Sequence, residues 1–153
     1  MDPTPSPDPN FLHTFERDGA RGLATSRGFR RGEVVCAIPQ TARRRRPTRL
    51  TVQVGDDEHV EVGGLATLNH SCDPNVRLDV ERMEVVAERD IEPGEELTFF
   101  YPSTEWEMAE PFDCACGGPR CVGVVRGARD LPAEVLDRYF VNAHVRRRAE
   151  RID

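Results

Sequence analysis

Clustered apolar positions predict a chain that is built mainly of short strands. Five runs rich in Val, Ile, Phe and Thr recur between turn signals. They cover residues 33–38, 50–54, 60–62, 83–88 and 96–101. The segments between them carry Gly, Pro, Asn and Asp, which are the residues that tight turns require. This part of the chain is therefore predicted to be β-rich, with short connections.

The pattern becomes helical after Gly127. Pro132 can occupy a first helical turn, and three arginines at 146–148 suit a helix C-terminus. The apolar residues that recur at helical spacing between them are Val135, Leu136, Tyr139, Phe140 and Ala143. The whole pattern predicts a β-rich α+β fold with one closing helix. It lacks the strand–helix alternation of a dinucleotide-binding fold.

Composition and charge narrow the class of protein. The 153 residues suit one domain, with 38% hydrophobic and 31% charged residues and no apolar run of about 20 residues that would span a membrane. Residues 1–10 are rich in Pro and Asp and lack a signal-peptide pattern, so we expect a flexible tail and a cytoplasmic, intracellular protein. The net charge of −6 argues against nucleic-acid binding. All 21 basic residues are arginine.

Three closely spaced cysteines carry the clearest chemical signal. Cys114, Cys116 and Cys121 form a C-x-C-x4-C array in a loop rich in Gly and Pro. Five cysteines without an export signal indicate reduced thiols or metal ligands rather than disulfides. Structural Zn²⁺ takes four nitrogen or sulfur ligands in a tetrahedron. The spacing therefore predicts a zinc site whose fourth ligand comes from elsewhere.

The remaining two cysteines and the four histidines are candidates for that fourth ligand. Cys72 is attractive because it lies in a turn, whereas Cys36 lies in an apolar strand where a buried free thiol is expected. Four thiolates would leave no open coordination position for water or substrate. We therefore expect a structural metal, with the catalytic chemistry at another place.

Four segments, in chain order, resemble motifs of the SET-domain family of protein methyltransferases. Residues 69–75, NHSCDPN, are similar to the NHSC-x-PN signature, and residues 92–101, EPGEELTFFY, to the GEELT-x-x-Y segment. Residues 21–24 and 32–35 resemble the N-terminal element of the family, and residues 114–123 resemble its post-SET cysteine motif. The resemblance covers most of residues 17–125. It implies a SET-type fold in which the tyrosine segment passes the NHSC loop as a pseudoknot.

The resemblance also implies a cofactor, a metal and roles for single residues. It assigns Cys72 to the zinc ion together with the three later cysteines. It implies S-adenosylmethionine as methyl donor, bound by the backbone of Arg21 and Gly22 and by Asn69 with the His70 backbone. The residues that we assign to cofactor binding on this basis are Arg21, Gly22, Asn69, His70, Tyr101 and Phe112.

Tyr101 is the residue that the resemblance places in the active site. Its hydroxyl can orient an incoming amine, while aromatic walls exclude water and favour a sulfonium cation. The aromatic residues available for such walls are Phe99, Phe100, Trp106 and Phe112. Phe99 is also explained by ordinary sheet packing, and Trp106 and Phe112 fit a core position as well as a cofactor wall.

Three features depart from the family pattern. Ala20 stands at the first glycine of the G-x-G element, and Phe100 precedes the tyrosine where many relatives carry Asp. We expect the second change to alter the shape and polarity of the channel for the target amine. The insert between Thr41 and Gly63 is short, which suggests a small, open or non-histone substrate. Its arginine run at 43–46 is expected in a solvated loop or strand edge.

The predicted organisation is a tail at 1–10, a SET domain at 11–112, a zinc loop at 113–125 and a helical extension at 126–153. The leading functional hypothesis is a protein-lysine N-methyltransferase that acts on a non-histone or unknown protein. A second hypothesis keeps S-adenosylmethionine but replaces the protein with a small molecule. A third hypothesis is a catalytically silent binding module that is stabilised by zinc. The departures at Ala20 and Phe100 favour it, whereas the presence of Asn69 and Tyr101 argues against it.

Overall fold

The computed structural model describes residues 9–116 and 118–150, so most of the tail predicted at 1–10 lies outside the described residues. Twelve short strands dominate this part of the chain. They are β1 (Leu12–Arg17), β2 (Ala20–Thr25), β3 (Val34–Ala37), β4 (Ala42–Arg44), β5 (Thr51–Gly55), β6 (Glu58–Glu61), β7 (Asn69–His70), β8 (Val76–Asp79), β9 (Glu84–Ala87), β10 (Glu96–Phe99), β11 (Phe112–Asp113) and β12 (Val124–Val125). The predicted β-rich fold is confirmed.

The helices are short. The two α-helices are α1 (Ala133–Leu136) and α2 (Ala143–Glu150), and single 3₁₀ turns cover Pro9–Phe11, Gly63–Thr67, Tyr101–Ser103 and Ala128–Asp130. None of the described helices approaches the length and apolar character needed to cross a membrane.

The strands form four small sheets, in the orders β1-β2-β10-β7, β3-β9-β8, β4-β6-β5 and β11-β12. Every strand pair is antiparallel except β7 with β10, which is parallel. In the first sheet β10 lies between β2 and β7, although it follows them in the chain. This late insertion brings three distant motifs onto one sheet.

The main core lies between the sheets. Burial alternates along β8 and β10, because successive side chains on a strand face opposite sides. Val76, Leu78, Leu97 and Phe99 are consequently at most 5% exposed. Cys36 is packed into the same cluster, and burial raises the pKa of its thiol to about 11. The sequence prediction of a buried free thiol at this position is confirmed.

The single closing helix predicted after Gly127 is wrong, because the chain leaves the helical path between Leu136 and Ala143. Tyr139 stacks flat on Phe100 at 3.7 Å. Asn142 uses its side chain to accept from the Val80 N–H at 3.0 Å and to donate to backbone carbonyls of two other segments. These tertiary contacts outweigh the local helical pattern.

A second hydrophobic cluster forms where this broken segment meets the rest of the chain. Its buried members are Phe100, Trp106, Ala128, Leu136, Val141 and Val145. The C-terminal segment is thus packed against the tyrosine-bearing segment rather than extending into solvent.

The short insert folds into the sheet β4-β6-β5, with β4 at its edge. Arg43 pairs with Glu58 at 3.1 Å and Arg44 pairs with Glu61 at 2.9 Å. Arg43, Arg44 and Glu58 are more than half exposed, so these pairs add little stability. The strand-edge interpretation of the arginine run is confirmed.

Candidate active site and metal centre

The loop after β7 is fastened to β10 by a buried amide. Asn75 is 2% exposed, and its side chain donates to Glu96 O at 2.8 Å and accepts from Thr98 N–H at 2.9 Å. The Ser71 N–H donates to Phe99 O at 3.0 Å. The last Asn of the NHSCDPN segment therefore holds the pseudoknot together. Sequence reasoning quoted Asn75 within the motif but gave it no role.

Tyr101 begins the 3₁₀ turn directly after β10, at the point where β7 ends beside it. Its N–H donates to His70 Nδ1 at 3.1 Å, and its hydroxyl donates to Leu68 O. The ring lies 4.8 Å from Phe99 and 5.8 Å from Phe112, measured between centroids. The phenol is therefore held at both ends, with aromatic rings on two sides.

The environment keeps the Tyr101 hydroxyl protonated. Burial raises its pKa well above the ordinary value, and the carboxylates of Glu105 and Glu96 raise it further. At neutral pH the hydroxyl therefore donates hydrogen bonds, and it does not serve as a base.

Asn69 connects β7 to the N-terminal motif. Its side-chain amide donates to Arg21 O and to Glu96 Oε2, both at 2.8 Å. An added Cβ at the adjacent Gly22 would lie 2.6 Å from Phe15 Cζ, so a side chain there would displace the Phe15 ring. The structure thus brings Arg21, Gly22 and Asn69 together, as the sequence analysis requires of a shared site.

Glu96 is a member of this group that sequence reasoning missed. Its carboxylate accepts from Asn69 and influences the pKa of Tyr101. The available signal was its place in the GEELT segment, five residues before the tyrosine. The Glu96 carboxylate, Arg21 O and the Asn69 side-chain oxygen together form a set of acceptors suited to an ammonium group.

The four aromatic candidates separate clearly by burial. Phe112 is 36% exposed and lies edge-on to both Tyr101 and His70, so it remains a candidate wall. Phe99 is a core residue, as ordinary sheet packing explains. Trp106 is 5% exposed in the second cluster, so the core position is the one of its two interpretations that the structure favours.

Phe100 is also a packing residue. It is 2% exposed and stacks on Tyr139. The sequence expectation that Phe100 reshapes the channel at Tyr101 gains no support, because its ring instead anchors the C-terminal segment. Successive side chains of an extended segment point to opposite sides, which separates Phe100 from Tyr101.

The four expected cysteines meet at one point. The sulfur atoms of Cys72, Cys114, Cys116 and Cys121 all lie within 4.8 Å of one another. The Cys72 and Cys114 sulfurs are 3.8 Å apart. Four thiolates at a Zn–S distance of about 2.3 Å form a tetrahedron with edges of about 3.8 Å. The cluster therefore fits a tetrahedral Zn²⁺ with small adjustments.

Backbone N–H groups around the cluster stabilise negatively charged sulfur, although burial raises the pKa of Cys114 to about 11 and also raises the pKa of Cys72. The Val122 N–H points at Cys72 Sγ and the Gly123 N–H at Cys121 Sγ, both at 3.4 Å. The Gly118 N–H lowers the pKa of the exposed Cys116 thiol to about 7. Charged ligands and N–H donors are what a structural zinc site requires.

His70 connects the cysteine cluster to Tyr101. Burial lowers the pKa of its ring to about 4, so the imidazole is neutral at physiological pH. Its Nδ1 accepts from the Tyr101 N–H, which assigns the ring proton to Nε2, 3.3 Å from Cys72 Sγ. The side chain thus joins Cys72, a candidate metal ligand, to the backbone of the tyrosine.

The hairpin β11–β12 carries the other three cysteines to the same place. Phe112 pairs with Val125 across it, and the Cys114 N–H donates to Gly123 O at 2.6 Å. A metal held by this loop and by Cys72 would fix Phe112 above Tyr101.

Comparison with known proteins identifies the family of the chain. The SET-domain family model matches residues 20–102, more than half of the chain. The chain is 42% identical over 117 residues to the methyltransferase flvH of Aspergillus flavus. This alignment covers 74% of the chain and 64% of that relative. It is 45% identical over 65 residues to an H3 lysine-36-specific histone-lysine N-methyltransferase of Aspergillus oryzae, covering 39% of the chain and 7% of that protein. The chain thus spans less than two thirds of these relatives.

Solved structures share the fold. KRYPTONITE in complex with mCHG DNA and SAH superposes with a TM-score of 0.60 at 20% identity, over 74% of this chain and 28% of that one. The methyltransferase domain of human histone-lysine N-methyltransferase SETMAR gives a TM-score of 0.55 at 19% identity, over 73% and 56%. The fold, the motif order and the matched region agree, and the chain belongs to the SET-domain methyltransferase family.

Proposed function

We propose that this protein is an S-adenosylmethionine-dependent protein-lysine N-methyltransferase whose target is a non-histone or still unknown protein. The observation that carries the proposal is the hydroxyl of the half-buried Tyr101, which points at Leu68 O beside Asn69 and beneath the exposed ring of Phe112. Relatives named as histone-lysine methyltransferases support the lysine amine as acceptor.

The residues around Asn69 suit the donor. S-adenosylmethionine, when bound, supplies an activated methyl group on a sulfonium and carries an ammonium group. The acceptors at Arg21 O, Asn69 and the Glu96 carboxylate would hold that ammonium group. Phe112 would cover the opposite side, and its π face favours a neighbouring cation.

Tyr101 would orient the incoming amine. A neutral amine has one lone pair and N–H donors, so it can donate to Leu68 O while the Tyr101 ring restricts its position. Because Tyr101 keeps its own proton at neutral pH, it positions the amine and leaves deprotonation to solvent. Phe99 and Phe112 would exclude water from the reacting atoms.

The metal would have a structural role. Cys72, Cys114, Cys116 and Cys121 would hold Zn²⁺ with no open position, so the ion would fasten the loop that carries Phe112 onto the loop that carries His70. Closing this side would complete the donor pocket.

A small-molecule amine is the second candidate substrate. The insert forms only the three short strands β4, β5 and β6, which offers little surface for a long peptide. The relative flvH is named as a methyltransferase without a stated substrate. Both candidates share the same donor and the same tyrosine.

A labelling experiment distinguishes these candidates. Zinc-loaded protein is incubated with methyl-labelled S-adenosylmethionine and a cell extract, which is then separated into protein and small-molecule fractions. Label on protein lysines supports the proposal, and label only in the small-molecule fraction supports the second candidate.

Tyr101→Phe should lower transfer at least about tenfold, a loss of about 1.4 kcal/mol of transition-state stabilisation, and leave S-adenosylhomocysteine binding within about twofold. Equal transfer by this variant removes Tyr101 from the active site.

A further inference from the structure

A cavity of about 550 Å³ lies beside the metal centre and away from the residues assigned to the donor. Its lining includes the loop 71–74, Cys116 and residues 118–120 of the cysteine loop, and the C-terminal segment at 138–140. Arg21, Asn69, Tyr101 and Phe112 do not line it. Its volume falls in the range typical of small-molecule sites. The proposed methyl transfer leaves this space without a role.

Two arginines at the rim of this cavity lack an acidic partner. Arg120 extends from the cysteine loop and Arg138 from the C-terminal segment, and neither forms an ion pair with a described residue. Both are exposed. The lining also contains the carboxylates of Asp73 and Glu88, but these pair with Arg89 and Arg77, so Arg120 and Arg138 leave a local excess of positive charge in a chain whose net charge is −6. Unpaired guanidinium groups facing one cavity are typical of sites for anions.

A third arginine lies deeper in the cavity. Arg77 makes one long contact of 3.4 Å with Glu88, and its Nε–H is buried without a hydrogen-bond partner. A buried N–H without an acceptor is destabilising, so an acceptor supplied by a ligand would be stabilising. The guanidinium also lies 5.2 Å from the centroid of the Phe140 ring.

The cavity also exposes apolar surface. Phe140 is 37% exposed and lines the cavity beside Tyr139, Pro74 and Pro119. Tyr139 itself is fixed from below, because its hydroxyl donates to Cys72 O at 2.6 Å and its ring stacks on Phe100. A rigid aromatic floor next to unpaired arginines matches a ligand with an apolar ring and an anionic group.

We propose that this cavity is a second binding site, which takes a small aromatic anion whose carboxylate or phosphate lies between Arg120 and Arg138 and whose ring packs on Phe140. Such a ligand would contact the loop that follows Asn69-His70, the cysteine loop and the C-terminal segment at once. It would therefore brace the cysteine loop from the side opposite the donor. The site does not depend on the proposed methyl transfer.

Binding to the zinc-loaded protein is measured by titration calorimetry with four probes: phenyl phosphate, benzoate, inorganic phosphate and the neutral benzyl alcohol. We expect phenyl phosphate or benzoate to bind at one site, with inorganic phosphate weaker because it lacks the ring, and benzyl alcohol weaker because it lacks the charge. Tighter binding of phenyl phosphate identifies phosphate as the anionic group, and tighter binding of benzoate identifies carboxylate.

Arginine variants locate the site. Arg120→Gln and Arg138→Gln should each weaken the tighter anion about tenfold, the effect of losing one charge-assisted hydrogen bond. Arg31→Gln makes the same change of charge at an exposed position that does not line the cavity, and it should bind as the unaltered protein does. Zinc content is measured for every variant, so that an effect on the metal is separated from an effect on the cavity.

Three results would overturn the proposal. They are equal binding by the Arg138→Gln and Arg31→Gln variants, equal binding of benzyl alcohol and the anions, and no binding of any probe by zinc-loaded protein.

Discussion

A buried carboxylate next to the tyrosine segment makes the stability of this protein depend on pH. Glu105 is 7% exposed, and its Oε2 accepts from the Gln53 N–H at 2.8 Å and from the Thr104 hydroxyl at 2.7 Å. No cation forms an ion pair with it among the described residues. Two hydrogen bonds compensate the buried charge only in part.

The size of the effect follows from the pKa. Burial raises the pKa of Glu105 from 4.5 to about 7, although both hydrogen bonds lower it. As the pH rises, the unfolded chain therefore loses this proton before the folded protein does. Its contribution to stability is fully present below the unfolded value of 4.5 and is lost as the pH rises to about 7. The total loss is about 3 kcal/mol, because each pKa unit corresponds to about 1.4 kcal/mol.

Urea unfolding of zinc-loaded protein at about pH 5 and about pH 8 tests this expectation. The four clustered thiols also bind protons, so the informative quantity is the difference in unfolding free energy between the unaltered protein and Glu105→Gln. From the lower to the higher pH, the free energy of unfolding of Glu105→Gln should rise by about 2–3 kcal/mol relative to that of the unaltered protein. Thr104→Val removes one hydrogen bond to the carboxylate, which should raise the pKa of Glu105 further. This variant should therefore lose more unfolding free energy between the two pH values than the unaltered protein does. Parallel pH profiles for the unaltered protein and Glu105→Gln would refute the reasoning.

Two further predictions concern the metal centre and the N-terminal motif. Cys72→Ser should lower zinc affinity more than about 100-fold, because the loss of a ligand costs more than the about 10–100-fold lost when a residue outside the ligand set is changed. Competition with a chelator measures this affinity, and an unchanged value would remove Cys72 from the ligand set. Gly22→Ala should cost about 1–3 kcal/mol in urea unfolding, because its Cβ would overlap Phe15. Gly64→Ala, where nothing lies within 4 Å, is the matched control, and equal losses for both variants would contradict the packing argument.

The sequence predicts the strands well where local and tertiary preferences agree. The five apolar runs all form strands, because β-branched residues between turn residues suit a pleated, half-buried surface. Strands such as β1 and β7 lack such runs. The register of β7 depends on a parallel partner 29 residues away, Thr98 opposite Asn69, which no local pattern contains.

The C-terminal segment shows the limit of periodicity. Its apolar spacing predicts one helix, yet Tyr139 and Asn142 bind partners 67 and 62 residues earlier in the chain. The residues of the candidate site also differ in how far the sequence alone could predict them. Spacing identified three of the clustered cysteines and the family resemblance added Cys72, whereas Glu96 and the burial of Trp106 required the three-dimensional arrangement.

The central claim is that a zinc-closed pocket around Asn69 and Tyr101 binds the methyl donor. Its most direct test is titration calorimetry of S-adenosylhomocysteine on zinc-loaded protein, repeated after the metal is removed by a chelator. We expect binding at one site, and a loss of that binding once the loop that carries Phe112 is released. Absence of binding at about 1 mM ligand, or equal affinity with and without the metal, would contradict the account.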